Sequence, residues 1–148
     1  MAPLVTLLVG SIPARIAGWV GIEHLNSWTT AIAVGLAAMF MLTGVAHFVA
    51  PKRRDLIAIV PPQLPAPGLL VTITGVLELL GAAGLLLPAT QVAAAGALLV
   101  LMLAMFPANI YASRMPNPPT SMTTRLSLRT ATEVVFLAAA IVVAVGGG

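Results

Sequence analysis

Three polar side chains, His47, Glu78 and Asn109, lie within stretches that are otherwise almost entirely apolar. Glu78 comes ten residues after Gly68, about 15 Å along a helix, in a run that is apolar as far as Leu87 apart from two threonines. At that depth in a bilayer an unpaired charge costs several kcal/mol, so a neutral carboxyl with hydrogen-bonded neighbours is favoured. Together, a carboxyl, an imidazole and an amide could handle protons or bind a small amphipathic molecule such as a quinone.

The composition indicates that these stretches are in a membrane. The chain has 148 residues, of which 59% are hydrophobic and only 7% are charged, whereas about a quarter of a soluble domain is charged. There is no cysteine, which excludes a disulfide framework and thiol chemistry within the chain. The net charge is +3 and no basic, aromatic-interleaved patch is present, which argues against a nucleic-acid partner. We therefore expect one integral membrane domain over residues 1–148.

The apolar runs predict the fold class. Each is close to the length of roughly 20 residues that a membrane-spanning helix needs. Inside hydrocarbon the backbone must satisfy its own hydrogen bonds, so these runs should be helices. The prediction is an all-α bundle of four transmembrane helices, over residues 28–50, 68–87, 91–112 and 128–145.

The first 27 residues do not fit this pattern. A single span from Leu4 to Ile22 would place Arg15 near the middle of the membrane, at a cost of roughly 3 kcal/mol or more. The segment has no basic start and no cleavage motif of small residues, so it does not resemble a signal peptide. We expect residues 1–27 to form an interfacial or re-entrant helix.

Basic residues predict the orientation, because they are enriched in cytoplasmic loops. Six of them follow the first and third spans, against Arg15 on the other side. This places residues 51–67 and 113–127 in the cytoplasm and both termini outside, in the cytoplasmic membrane. Lys52, Arg53 and Arg54 should then contact anionic lipid headgroups.

Helix directions suggest which polar residues meet. Side chains lean toward the N-terminus of their own helix, so His47 and Asn109 lean toward the membrane centre and Glu78 leans back toward the cytoplasm. Thr43 and Thr74 lie one turn before His47 and Glu78 on the same helix faces. Small residues beside Glu78 favour close contact with other helices.

Three further positions complete the candidate set. Pro107 leaves the carbonyl of Leu103 without its helical partner, which predicts a kink. Arg129 and Glu133 are one turn apart on one helix, so an interfacial ion pair is expected. No metal site is predicted, because the second histidine, His24, falls on the opposite side and no metal-ligand spacing is present.

The polar cluster has two interpretations. In the first it is structural, with a protonated Glu78 hydrogen-bonded to His47 and Asn109 to fix the helix register. In the second it is a proton-accessible site or the lining of a cavity for a quinone-like ligand.

Part of the chain resembles the DoxX/DoxX-like family of small bacterial membrane proteins. The resemblance rests on four stretches: GVAHFVAP (44–51), PPQLPAP (61–67), GVLELLGAAGLLLP (75–88) and FPANIY (106–111). It implies a four-helix membrane bundle in a bacterial inner membrane, with His47, Glu78, Pro107 and Asn109 as motif positions. The family takes its name from a small subunit of a membrane thiosulfate:quinone oxidoreductase, and other members associate with thiol- and sulfur-redox partners.

Three functions follow as hypotheses. The first is a membrane subunit or anchor of a quinone-linked redox assembly, with no intrinsic cofactor except a bound quinone and with a membrane or peripheral redox protein as partner. The second is an assembly or chaperone-like protein that binds other helices through its glycine-rich faces. The third is a small proton-coupled transporter, for which four spans with one central acid would need association of several copies. Self-association stays open in all three.

Overall fold

The computed structural model describes residues 2–147, and its regular structure is helical throughout that range. It has six α-helices: α1 Ala2–Trp19, α2 Trp28–Ala46, α3 Lys52–Ala58, α4 Pro67–Leu85, α5 Gln91–Arg114 and α6 Leu126–Gly146. Two short 3-10 turns, Glu23–Leu25 and Thr120–Met122, lie in the connections. The prediction of an all-α fold is confirmed.

Among the described residues, five helices are long and apolar enough to cross a membrane, judged by length and composition: α1, α2, α4, α5 and α6. The last four coincide with the four predicted spans. The predicted count of four is not confirmed, because α1 meets the same criteria.

The N-terminal segment, for which an interfacial or re-entrant helix is expected, packs along the bundle. Residues Ala2–Trp19 form one continuous helix, and its contact with α2 is the most extensive between any two helices. The helices run antiparallel and touch through small residues. A Cβ placed on Gly35 would lie 2.5 Å from the carbonyl oxygen of Leu7, so only glycine permits this approach. Because α1 lies along α2, its two ends are at opposite ends of the bundle.

Arg15 does not lie where the argument from charge placed it. It is one turn from the C-terminal end of α1, and its Nη1 donates a hydrogen bond to Oδ1 of Asn26 at 2.7 Å. Its guanidinium also lies over the rings of Trp19 and Trp28, at 4.9 and 5.5 Å from their centroids. A long arginine near a helix end can reach polar surroundings along such aromatic rings.

The bundle has two distinct ends. The basic end comprises the start of α1, residues 47–67 with α3, and residues 115–125. The turn end comprises the connections 20–27 and 86–90 and the end of α6. Helix α2 is central, since it packs against α1, α4 and α6. The largest fully buried side chains in the described chain are Leu36, Met39, Leu85, Leu98 and Val143.

Local sequence explains the helix limits. Ser27 caps α2 by accepting a hydrogen bond from the backbone N–H of Thr30 at 3.0 Å. Pro67 occupies the first turn of α4, where its missing N–H costs nothing. Helix α2 ends at Ala46, earlier than predicted, and the chain turns before Pro51 into α3.

Candidate ligand cavity

A cavity of about 610 Å³ opens inside the basic end of the bundle. Residues from all six helices and from the turn at Thr120–Met122 line it. Much of its wall is apolar and adaptable, including Met39, Phe40, Met102, Met105 and Phe136. Its polar wall contains every buried polar candidate that the sequence predicted, namely Thr43, His47, Thr74, Glu78 and Asn109.

Glu78, Thr43 and His47 form a connected group on one side of the cavity. The Thr43 hydroxyl donates to Oε2 of Glu78 at 2.5 Å, and the Nδ1 of His47 lies 2.8 Å from the Thr43 carbonyl oxygen. Nδ1 of His47 is 3.9 Å from Oε2 of Glu78. Glu78 is 3% and His47 6% exposed, so both are largely removed from the surface. The structure therefore brings these two side chains together.

Glycines bring α2 and α4 close enough for this contact. A Cβ added to Gly75 would lie 2.5 Å from Cβ of His47, and one added to Gly44 would lie 3.3 Å from Cβ of Glu78. Helices that carry small residues at such positions can approach closely. Gly44 and Gly75 therefore position the Thr43–Glu78 hydrogen bond.

Asn109 lies on another part of the wall and pairs with α6. Nη1 of Arg129 donates to Oδ1 of Asn109 at 3.0 Å, and its Nε donates to the Thr124 carbonyl oxygen at the same distance. Asn109 therefore joins α5 to the start of α6. The structure records no hydrogen bond between Asn109 and either His47 or Glu78 within residues 2–147.

The predicted ion pair between Arg129 and Glu133 is wrong. In the described part of the chain, their charged groups do not come within 4.0 Å. The physical reason is the direction of the arginine, which reaches back past the helix N-terminus to the Thr124 carbonyl and across to Asn109. This direction points away from Glu133, which is one turn further along α6.

One carboxyl oxygen of Glu133 lacks a hydrogen-bond partner among the described residues. Its Oε1 is buried and has no hydrogen-bond partner within residues 2–147, and the side chain lines the cavity. In contrast, the hydroxyls of Thr74 and Thr132 are satisfied by carbonyls of their own helices. Among the described residues, no three histidine, aspartate or glutamate side chains are grouped to hold a metal ion.

Pro107 lies inside α5 and lines the cavity. The helix continues without a break from Gln91 to Arg114. The proline thus contributes wall surface beside Asn109, and the predicted kink stays a prediction.

The three basic residues of α3 have different surroundings. Arg53 is used within the protein: it donates to the carbonyl oxygens of His47 and Gly68, at 2.8 and 3.3 Å, and to Oγ1 of Thr72 at 3.0 Å. It therefore ties the end of α2 to the start of α4. Lys52 and Arg54 are exposed, and Lys52 also lines the cavity.

Two connections that the sequence did not mark as functional close the cavity. The Ser121 hydroxyl donates to Asp55 Oδ2, which joins the turn at Thr120–Met122 to α3. Leu56 of α3 and Met122 of the turn both line the cavity. No local motif could have shown this enclosure, because the contact joins α3 to a turn that is far away in sequence. The only hint was the apolar character of the stretch after Arg54.

The fold and the site define an all-helical protein. It has a part-polar cavity at one end of a bundle that contains five long apolar helices. The chain belongs to the family described as Domain of unknown function (DUF8561), whose model matches residues 36–144. The matched region contains His47, Glu78, Asn109, Arg129 and Glu133, whereas α1 precedes it. No curated protein and no solved structure matches the chain.

Proposed function

We propose that this protein crosses a membrane five times with its basic end in the cytoplasm. The five apolar helices and the charge asymmetry support this orientation, since Lys52, Arg53, Arg54, Arg114 and Arg125 lie at the basic end and Arg15 at the turn end. Because α1 is antiparallel to α2, residue 2 is cytoplasmic and the end of α6 is on the opposite side.

Cysteine labelling in intact cells tests this topology on a chain that has no native cysteine. We expect Pro3→Cys and Thr120→Cys to be protected from an impermeant reagent and Gly147→Cys to react. If Pro3→Cys and Gly147→Cys both react, both termini are outside and α1 is interfacial, which would contradict the proposed topology.

Within this membrane protein, the cavity binds a quinone, and the chain acts as the quinone-proximal membrane subunit of a redox assembly. The observation that carries this function is the cavity itself, which gathers five predicted polar residues against methionine and phenylalanine side chains. Its volume of about 610 Å³ is within the range of pockets that hold small molecules, about 300–1,000 Å³. Such pockets are largely apolar with a few placed polar groups, and this wall has that character.

The polar wall fits a quinone ring. Glu78 with His47 forms one polar position and Asn109 with Arg129 another, so the two oxygens of a ring have separate polar groups to meet.

A bound quinone would supply two-electron, two-proton redox chemistry. The chain supplies proton-holding groups: Glu78 is fixed by Thr43 at Oε2, and His47 is fixed by the Thr43 carbonyl at Nδ1. Both groups are therefore held in one orientation toward the cavity. The buried position of Glu78 excludes bulk water from the carboxyl.

The electron donor belongs to a partner protein, because this chain has no cysteine and no pair of histidines that could hold a haem. The resemblance to DoxX-like proteins supports a sulfur- or thiol-redox partner and a location in a bacterial inner membrane. Exposed Lys52 and Arg54 at the basic end would meet anionic headgroups or such a partner.

Purification in mild detergent followed by solvent extraction tests quinone binding. We expect the protein to retain quinone, and the variant Thr74→Phe, which fills the cavity, to lose it. Val76→Phe is the matched control, because Val76 is 43% exposed and does not line the cavity. Retention of equal amounts of quinone by both variants, or by neither variant nor the parent protein, would overturn the proposed function.

A further inference from the structure

Resting on the proposed function, we propose that the cavity selects the reduced, hydroxyl-bearing form of its ligand, with Glu133 as the residue that recognises a hydroxyl. Quinone oxygens only accept hydrogen bonds, whereas quinol hydroxyls also donate them. Two side chains on the cavity wall, Glu133 and His47, carry acceptor atoms that have no hydrogen-bond partner within residues 2–147, and these atoms can distinguish the two forms.

Glu133 carries the strongest part of this argument. Its Oε1 is buried, lines the cavity wall and has no hydrogen-bond donor among residues 2–147. A buried acceptor without a donor is costly and is rare in native proteins. In the ionised carboxylate both oxygens only accept hydrogen bonds. A ligand hydroxyl would then supply the missing donor, and a ketone oxygen would not.

His47 adds a second acceptor to the cavity wall. Its Nδ1 lies 2.8 Å from the Thr43 carbonyl oxygen, which only accepts, so Nδ1 carries the proton. In a neutral imidazole the proton-free nitrogen is then Nε2, which is an acceptor. It has no hydrogen-bond partner in the part of the chain that the structure describes.

Some of the donors on the wall are engaged within the protein. Nη1 of Arg129 donates to Asn109 and its Nε donates to Thr124, whereas its Nη2 stays available to a ligand oxygen. The Thr74 hydroxyl donates to its own helix, and Lys52 is exposed to solvent. The amide nitrogen of Asn109 can still donate to one ligand oxygen.

The test compares affinities for a short-chain quinone, its quinol under anaerobic conditions, and the same ring with both hydroxyls methylated. Calorimetry on the purified protein in detergent measures binding without requiring turnover. We expect the quinol to bind about tenfold more tightly than the other two, which corresponds to roughly one buried hydrogen bond. Glu133→Leu should remove this preference, whereas Glu133→Gln should keep most of it because its amide oxygen still accepts.

Glu23→Gln serves as the matched control, since Glu23 is exposed at the turn end and should leave all three affinities unchanged. Equal affinity for the quinone and the quinol would overturn the inference and leave the proposed function standing. A quinol preference that survives in Glu133→Leu would overturn the assignment to Glu133. Failure of all three ligands to bind would overturn the proposed function and this inference with it.

Discussion

The two ends of the bundle are built from the same helices but are packed differently. At the turn end, small residues allow close contact: a Cβ on Gly81 would lie 2.5 Å from Leu98, and one on Gly84 would lie 2.8 Å from Ala94. At the basic end, the helices separate around a cavity and carry His47, Glu78, Asn109, Arg129 and Glu133.

The difference shows where polar groups are tolerated and what they require. Gln91 at the turn end is buried and donates to the Leu85 carbonyl oxygen at 3.1 Å, so it stabilises a turn and needs nothing else. Glu133 at the basic end has a buried oxygen with no partner within the described residues. The position of the Glu133 oxygen on a cavity wall supports the proposed ligand.

The largest expected effect comes from closing the approach of α2 to α4. Gly75→Ala places a Cβ 2.5 Å from Cβ of His47, so the helices must separate and the Thr43–Glu78 contact must stretch. We expect a loss of about 1–3 kcal/mol in the free energy of unfolding, measured in detergent. Gly96→Ala is the control, because no atom lies within 4 Å of its added Cβ. Equal stability of the two variants would show that α2 and α4 do not pack this closely.

A smaller effect is expected at Glu78. Glu78→Gln keeps an oxygen that can accept from Thr43, whereas Glu78→Leu removes it and leaves the hydroxyl without this partner. Hydrogen bonds between membrane helices contribute about 0.6–2 kcal/mol, so Glu78→Leu should lose that amount and Glu78→Gln much less. Unfolding transitions of the two variants in the same detergent measure the difference. If Glu78→Gln is as unstable as Glu78→Leu, the contact with Thr43 is not what the site depends on.

The smallest effect separates the two pairings of Arg129. A double-mutant cycle between Arg129→Met and Asn109→Ala should give a coupling of about 0.6 kcal/mol, because the two groups are hydrogen-bonded at 3.0 Å. The equivalent cycle between Arg129→Met and Glu133→Gln should give a coupling near zero. A larger coupling energy in the second cycle would show that Arg129 and Glu133 form the ion pair that sequence spacing predicts.

The sequence predicted the helical class and four of the long helices, because runs of about 20 apolar residues leave the backbone no alternative in hydrocarbon. For α1, the sequence argument placed Arg15 by counting from Leu4 to Ile22. The helix ends at Trp19, and Trp19, Asn26 and Trp28 surround the guanidinium. Contacts from a neighbouring turn cannot be read from the composition of one segment.

The site shows the same limit. Opposed helix directions made contact between His47 and Glu78 possible, because the direction in which a side chain leans depends only on the direction of its helix. The structure places Nδ1 of His47 3.9 Å from Oε2 of Glu78. Arg129 pairs with Asn109, an acceptor on α5, and spacing within α6 carries no information about that helix. The spacing alone favoured an ion pair between Arg129 and Glu133. The enclosure of the cavity by α3 and Ser121 required contacts between distant loops, for which the sequence carries no periodic signal.

The most direct test of the account is photolabelling of the purified protein with an azido-quinone, followed by peptide mapping. We expect the label on the cavity wall, in residues 70–78, 102–109 and 128–136, and we expect Thr74→Phe but not Val76→Phe to suppress it. Label spread over the exposed faces around Leu80 and Val100, with no suppression by Thr74→Phe, would contradict the claim that this cavity is a quinone site.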